Sequence, residues 1–497
     1  MKKTMKKLLT IFVSFALLVG NGGTVFADTS TNTTDAPTAA QIKAITTIDT
    51  SGIPQSTTED LTKVDPFSAK GKTYSNYAIS IKSFGAHSID ETGYSTFDSS
   101  VAINNAIQFA IKCGSKWVDF GSGRFYAKNI KLLGNMTYFS TQGAELIAAP
   151  DITTCSSVLS ANKQANIKIE GLTINGNKSV VYGCPQSGIF MISFNQCNNI
   201  TVQNCYLHNS KYLGILMQNG CYYVNVNNNT IYDTDCGIIA THGAGYNITI
   251  DKNTVYGSKE NQTSEPIAIY NSNSTLAHDI TITNNTVHDK LNASGIFVMN
   301  TTKATINNNV VYNCSNGIMV GVDGTIKDSA ITVSSWLTIS ENNVRGCVIG
   351  IGGELNNSTI SSNTIQEINN VGIWLLSKNS TVPINNDKIY KNTLTNVNKI
   401  GAQEPAIRLQ KASNCTIDSN NIYDLRNPIL DYWGIHVCGS SSNGNVIKNE
   451  TKSALGPVKG YNIWVQGANN TQIIMPTTDK PTYLDQGTGT TITTATN

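Results

Sequence analysis

The stretch Val224-Asn-Val-Asn-Asn-Asn229 decides the fold, because its pattern returns at once in Ile248-Thr-Ile-Asp-Lys-Asn253 and then along much of the chain. Each copy is a short alternating segment that ends in Asn. The nine predicted positions of this Asn are Asn229, Asn253, Asn285, Asn309, Asn342, Asn363, Asn392, Asn420 and Asn449. A second landmark, an Ile that often follows Gly, recurs from Ile189 to Ile463 at intervals of 22 to 34 residues.

Units this short cannot bury a face alone, so they must stack on one another. Stacking places each Asn above the next, where the side-chain amides can form a hydrogen-bonded ladder. The missing leucine frame excludes a leucine-rich repeat, and a propeller needs about 40 residues per blade. The sequence therefore predicts an all-β fold, a right-handed parallel β-helix of about 11–13 coils.

The composition agrees with such a fold and excludes several others. Of 497 residues only 14% are charged, the formal net charge is +2, and 59 are Asn. Coiled coils need many Glu and Lys, and broad nucleic-acid-binding surfaces need excess positive charge. We therefore expect no nucleic-acid partner.

The first 27 residues have the pattern of a secretory signal peptide. Four lysines precede the apolar run from Leu8 to Gly20, and Val25-Phe-Ala27 offers a cleavage site. No later run is long enough to span a membrane. We expect a secreted, extracellular, bacterial protein without membrane insertion. Residues 28–75 are predicted to be a flexible Thr/Ser-rich lead-in, 76–475 the β-helix domain, and 476–497 a C-terminal tail or cap.

The start of the domain adds a resemblance. Ser83-Phe-Gly-Ala-His87, an amphipathic segment from Ser99 to Cys113, and Gly114-Ser-Lys-Trp-Val-Asp-Phe-Gly-Ser-Gly-Arg-Phe-Tyr126 follow one another. This order resembles the N-terminal cap, here about 76–150, of the pectate-lyase-like superfamily, in which a short helix closes the end of the β-helix. That superfamily contains polysaccharide lyases, glycoside hydrolases, uronan epimerases and phage tailspikes. The motifs specific to polygalacturonases and alginate epimerases are missing here, so the resemblance implies no particular reaction.

Strand alternation predicts where a site would lie. If each landmark Ile faces the core, the next residue and the third residue on face outward. The outward rank then places Trp374, Arg408, His436 and Trp464 in a column about 14 Å long, because coils stack about 4.8 Å apart. Glu354 and Gln410 would lie beside this column. Long loops over the same coils carry further polar and aromatic residues: Glu404, Arg426, Asp431, Tyr432, Trp433 and Lys459.

These residues favour a polysaccharide partner. Trp374 and Trp464 could stack on sugar rings while Gln410, Lys411, Glu404 and Asp431 bind hydroxyl or charged groups. Arg408 could neutralise a uronate carboxylate, and His436 or Tyr432 could remove the adjacent proton, which leads to β-elimination of a pectin- or alginate-type chain. Hydrolysis would need paired carboxylates, such as Glu354 with Glu404 or Asp431. Epimerase or transferase activity and non-catalytic glycan binding or adhesion stay open.

A second predicted cluster consists of Asp233, Asp235, His242 and Glu265. Asp233 and Asp235 could equally cap a turn. Ca²⁺ bridging protein and uronate would suit either carboxylate cluster, although no loop carries a dedicated calcium motif. The eleven cysteines are read mainly as small core residues, with one or two disulfides as the alternative. The oligomeric state stays open.

Overall fold

A computed structural model describes residues 36–68, 73–152, 156–181, 189–241, 245–257, 264–271, 276–321, 333–377, 384–431 and 433–495. The chain divides into two compact units, which are described separately. Among the described residues, unit 1 comprises 36–257 and unit 2 comprises 264–495. The predicted signal peptide, His242 and Tyr432 lie outside the described residues.

Unit 1 contains the helices α1 (Ala39–Ile45) and α2 (Ser100–Cys113) and two 3₁₀ turns, Tyr74–Asn76 and Ile81–Phe84. Its described strands, β1 to β16 in chain order, are Ile79–Ser80, Trp117–Asp119, Arg124–Ala127, Ile130–Lys131, Met136–Phe139, Glu145–Ala148, Ser157–Asn162, Ala165–Glu170, Thr173–Asn175, Phe190–Asn195, Asn198–Gln203, Tyr206–Gln218, Tyr222–Asn227, Thr230–Thr241, Tyr246–Asp251 and Thr254–Tyr256.

Unit 2 consists of strands and turns throughout its described part. Its strands, β17 to β42 in chain order, are Ile267–Tyr270, Ala277–Thr283, Thr286–Met299, Thr301–Asn307, Val310–Gly321, Ser334–Ser335, Thr338–Ser340, Asn343–Arg345, Ile349–Gly353, Leu355–Asn356, Thr359–Ser361, Thr364–Gln366, Ile373–Leu376, Ile384–Asn385, Lys388–Tyr390, Thr393–Thr395, Pro405–Gln410, Ala412–Ser413, Thr416–Asp418, Asn421–Tyr423, Trp433–Cys438, Val446–Lys448, Ile463–Asn469, Gln472–Met475, Tyr483–Thr488 and Thr491–Thr494.

The strands of successive coils pair in parallel and in register, which makes each unit a stack of coils. In unit 1, Leu159, Ile192, Ile215 and Ile238 occupy one core column. The landmark Ile of the coil that contains β10 is therefore Ile192. The sequence-based choice of Ile189 was wrong by three residues. Ile192 is fully buried, as a residue in the core column must be.

In unit 2 the same kind of column runs without a shift. Its members are Ile267, Ile296, Ile318, Ile351, Ile373, Ile407, Ile435 and Ile463. All eight side chains are fully buried. Stacked aliphatic side chains therefore form the core of the coils, as the period of the sequence predicted.

The predicted Asn ladder is present. In unit 2 the backbone and side-chain N–H groups of Asn342 both donate to Oδ1 of Asn363, at 3.0 Å each, and Asn363 bonds to Asn392 in the same way. The same pairing joins Asn229 to Asn253 in unit 1. These bonds satisfy buried amides at the turns where strand pairing ends.

The last rung of the unit 2 ladder differs from the prediction. The side-chain and backbone N–H groups of Asn420 donate to Glu450, at 3.0 and 3.1 Å, and Glu450 is buried. Asn449 lies one residue earlier, with an exposed side chain and a φ of 54°. The register of β38 against β35, with Ile417 opposite Ile447, fixes this one-residue correction.

Ordered elements are present at both ends of the predicted β-helix domain and beyond its predicted bounds. α2 agrees with the expected capping helix and packs against β1, β2 and β4. In the predicted lead-in, α1 is helical and Leu61 is buried, with its backbone N–H bonded to the carbonyl of Ser83. In the predicted tail, β41 and β42 pair with β39 and β40 and add further strands to the stack.

The nine cysteines in the described part of the chain are all free thiols, and eight of them are buried. The remaining two, Cys155 and Cys184, lie outside the described residues. Within the described ranges, no helix is long and apolar enough to cross a membrane.

Candidate functional site

The predicted outward column exists in unit 2. Trp374, Arg408, His436 and Trp464 lie directly opposite one another on β29, β33, β37 and β39. Their neighbours at the core-facing positions are the landmark Ile residues, so strand alternation directs all four side chains away from the core. We call these four residues the column.

One end of the column pairs a cation with an aromatic ring. The guanidinium carbon of Arg408 lies 5.4 Å from the ring centroid of Trp374, within the range of a cation–π contact. Nη2 of Arg408 also forms an ion pair with Glu404. The indole N–H of Trp374 donates to Oε1 of Gln410 at 3.3 Å. Trp374 and Arg408 are half-buried, so a ligand can reach them.

The other end of the column is an aromatic stack. The rings of His436 and Trp464 are 4.1 Å apart and within 4° of parallel. Trp433 closes this group, with its centroid 4.3 Å from that of Trp464. The indole N–H of Trp464 donates to Gln486 at 3.1 Å. His436 is only 4% exposed, whereas Trp464 is half-buried.

Between the two tryptophans lie side-chain nitrogens that have no hydrogen-bond partner among the described residues. In the described part of the chain, neither ring nitrogen of His436 nor Nε of Arg408 has a hydrogen-bond partner. Buried polar atoms nearly always have partners, so such atoms call for an explanation such as a ligand or water. Their position makes this segment of the column the best candidate for a binding site.

The imidazole is held neutral. Burial, followed by the positive charge of Arg408, lowers the pKa of His436 from 6.5 to about 4. The Gln466 side chain acts in the opposite direction, although it forms no hydrogen bond of normal geometry with the ring. A neutral imidazole can accept a proton or a hydrogen bond, whereas an imidazolium ion could only donate.

Glu354, predicted to lie beside the column, directly follows β25. β25 ends at Gly353, whose φ is 127° and whose hypothetical Cβ would lie 1.7 Å from the carbonyl oxygen of Val320. Only glycine tolerates this backbone conformation and this close approach. Glu354 is buried, with 3% of its surface exposed, and its backbone N–H donates to the carbonyl of Val320 at 3.0 Å.

Asp431 is also buried, at 1% exposure, and it belongs to a polar group under the loop. Nη2 of Arg426 donates to Asp431 at 3.0 Å and to Asp424 at 2.9 Å. Burial and the charge of Asp424 raise the pKa of Asp431 to about 8, against the opposing effect of Arg426. Asp424 has its pKa lowered despite burial, because Arg426 and backbone N–H groups bond to it.

Lys411 follows β33 in a left-handed conformation, with a φ of 55°, and its backbone N–H donates to the carbonyl of Cys438.

The second predicted cluster is described in parts. His242 lies outside the described residues, Asp233 and Asp235 belong to unit 1, and Glu265 belongs to unit 2. Asp233 has a left-handed φ of 53° and pairs with Lys178 at 2.6 Å. Glu265, in unit 2, accepts a hydrogen bond from the hydroxyl of Tyr270 at 2.7 Å. Among the described residues, no group of three or more His, Cys, Asp or Glu side chains could hold a metal ion.

Sequence reasoning missed the contribution of Gln486, because residues 476–497 were predicted only as a C-terminal tail or cap, without a register. The alternation in Tyr483-Leu-Asp-Gln486 was the available signal. β41 places Gln486 opposite Gln466 and Leu484 opposite Trp464, so the stack of coils continues past the column.

Comparison with known proteins supports the fold. A family model described as "Right handed beta helix region" matches residues 156–334 and 213–389. No curated protein sequence matches the chain. Solved structures that resemble it include PfbA, a surface adhesin of Streptococcus pneumoniae, at 16% identity and a TM-score of 0.54, covering 81% of this chain and 93% of that one.

Two others differ in kind. The Dettilon tailspike protein has 17% identity and a TM-score of 0.52 over 82% of this chain and 71% of its own. The catalytic domain of a GH87 α-1,3-glucanase has 15% identity and a TM-score of 0.53 over 74% and 67%. At these identities the likeness shows the fold alone. Together with the register of the strands, these comparisons show a right-handed parallel β-helix fold.

Proposed function

We propose that the chain is a secreted protein that binds an extracellular polysaccharide along the column and cleaves uronate-containing chains by β-elimination. The observation that carries this proposal is a set of nitrogens on Arg408 and His436, between Trp374 and Trp464, that have no hydrogen-bond partner in the part of the chain that the structure describes. Aromatic rings suit the apolar faces of sugars, and the nitrogens suit their hydroxyl and carboxylate groups.

The proposed chemistry follows from the two central residues. Nε of Arg408 binds the uronate carboxylate, which makes the proton on the adjacent carbon more acidic. Neutral His436 takes that proton, the C–H electron pair forms a carbon–carbon double bond, and the bond to the leaving sugar oxygen breaks. The leaving oxygen then takes a proton from the imidazolium ion.

Substrate binding would help this base. The charge of Arg408 is one cause of the low pKa of His436. A bound carboxylate offsets that charge, so the pKa of His436 rises when the substrate is present. The base would therefore gain strength only in the complex.

Glycan binding without turnover is the second candidate. Two observations favour it: Arg408 already forms an ion pair with Glu404, and His436 is only 4% exposed. Both restrict the access of a substrate to the residues that the reaction needs. Hydrolysis by paired carboxylates has less support, because Asp431 forms an ion pair with Arg426 and Glu404 forms one with Arg408. Epimerisation would share the proton-abstraction step but return a proton without breaking the chain.

The test is a substrate screen with the secreted protein. Polygalacturonate, alginate and neutral plant glycans are incubated with added Ca²⁺ or with EDTA, and the ultraviolet absorbance of unsaturated uronate is recorded. We expect absorbance with a uronate polymer and its loss in Arg408→Gln and His436→Phe. Arg345→Gln, at an exposed arginine on β24, is the matched control. New reducing ends without absorbance would sink the lyase proposal, and binding without product would favour the second candidate.

A further inference from the structure

Unit 1 has a row of equivalent residues at one corner of its coils, which we call the corner row. One residue per coil has left-handed backbone there: Asn135, Asn166, Asn199, Tyr223 and Asn247, with φ between 51° and 60°. Asn is several-fold enriched in this conformation, whereas bulky residues are uncommon. Tyr223 is therefore the exception in the corner row.

Tyr223 also interrupts a hydrogen-bonded ladder. The Asn166 side chain donates to Asn135 at 2.7 Å, and the Asn199 side chain donates to Asn166 at 2.5 Å. The next position, opposite Asn199, is Tyr223, which has no amide to continue the ladder. The aromatic side chain is not buried there either, since 56% of Tyr223 is exposed.

Three tyrosines meet at this point. The rings of Tyr222 and Tyr246 are stacked, 4.8 Å apart and 6° from parallel. The ring of Tyr223 stands across both, at 67° to Tyr222 and 73° to Tyr246. The result is a corner with one exposed aromatic face, which we call the tyrosine corner.

The same substitution occurs in unit 2. Trp336 has a φ of 59° and is 62% exposed, and the following coils have Asn357 and Asn386 at that position. Asn386 donates to Asn357 at 3.0 Å, so the amide ladder resumes after the aromatic residue. Among the described residues, an exposed aromatic residue with left-handed backbone thus occurs once in each unit at such a corner.

We propose that the tyrosine corner binds a neutral polysaccharide. Aromatic faces pack on the C–H faces of sugar rings. The residues at this end of the paired strands β11, β13 and β15, namely Asn198, Asn199, Tyr222, Tyr223, Tyr246 and Asn247, carry no formal charge. Amides can bond to hydroxyls, and the absence of a cation among these six residues favours neutral sugars over uronates. This site is separate from the column and goes beyond its proposed function.

The experiment removes the column first. Trp374→Ala/Trp464→Ala protein is run in native gels that contain hydroxyethyl cellulose, xylan, galactomannan or dextran. Tyr223→Asn and, separately, Tyr222→Ala are then added. Tyr423→Asn, at another exposed tyrosine, serves as the control. Thermal unfolding is measured for every variant.

We expect the column-deficient protein to be retarded by at least one neutral polymer, and Tyr223→Asn to weaken that affinity about 10-fold. Because Asn occupies the other positions of the corner row, Tyr223→Asn should unfold at the same temperature as the wild type or at a higher one. No retardation of the column-deficient protein, unchanged affinity in Tyr223→Asn and Tyr222→Ala, or a lower unfolding temperature in Tyr223→Asn would each overturn the inference. Equal binding of the neutral polymer by wild type and column-deficient protein would support the inference, because the tyrosine corner is intact in both.

Discussion

The outward rank of unit 2 changes character half-way along, although its backbone register does not. The first half, Ala268, Phe297, Met319 and Gly352, is small or apolar and buried. The second half is the column, which is aromatic and charged and has nitrogens without a hydrogen-bond partner among the described residues. The same fold thus supports a packed surface and a candidate binding surface in one rank. Function in this fold is decided by side chains at equivalent positions and not by the coils themselves.

The largest expected difference between the halves is in stability. Phe297→Ala should lower the free energy of unfolding by about 3–5 kcal/mol, because the side chain is 3% exposed and its removal leaves a cavity. Trp374→Ala, in the half-buried part of the rank, should lower it much less and should weaken glycan binding instead. Denaturant unfolding and binding to a uronate polymer measure the two effects. Similar losses of stability in both variants would remove the distinction.

The ladder extends the comparison to pH. Its first rungs in unit 2, Asn285, Asn309 and Asn342, are amides, whereas its last rung is Glu450. Burial raises the pKa of Glu450 from 4.5 to about 7, against the hydrogen bonds from Asn420. Because the folded state holds this proton more tightly, stability is present below pH 4.5 and is lost as the pH rises to about 7.

Glu450→Gln should remove that loss. At pH 8 the variant should exceed the wild type by up to about 3 kcal/mol in free energy of unfolding, and at pH 4 the two should be similar. Other buried carboxyl groups, such as Asp387, titrate equally in both proteins and cancel in the difference. Denaturant unfolding at the two pH values is the measurement. A difference that does not depend on pH would contradict the assigned role.

The core of this fold could be predicted because it repeats. The landmark Ile residues and the ladder Asn residues recur often enough to fix register, and the order of the column followed from that register. Prediction failed where a single residue breaks the period. A one-residue shift replaced Asn449 by Glu450, and Ile192 took the place assigned to Ile189.

Burial by loops was the second limit. Alternation gives the direction of a side chain but not what covers it, so the 4% exposure of His436 and the 1% exposure of Asp431 could not be read from the sequence. Pairings between a strand and its own preceding loop, such as Arg408 with Glu404, also depend on the path of the loop. The repeat period of the sequence therefore predicts the coils, whereas the loops between the strands determine the environment of the site.

The smallest effect on stability distinguishes a binding role from a packing role for His436. His436→Phe keeps a ring beside Trp464 and removes two nitrogens that have no hydrogen-bond partner in the described structure. We therefore expect the free energy of unfolding to rise by about 1 kcal/mol at neutral pH. The wild type also loses stability as the pH falls from 6.5 to about 4, because the folded state resists protonation of this imidazole. The advantage of His436→Phe should therefore grow on acidification, while product formation from a uronate polymer is lost. A variant that is less stable at every pH would show that the imidazole is a packing residue, because a ring kept for ligand contacts is expected to be replaceable in the empty protein.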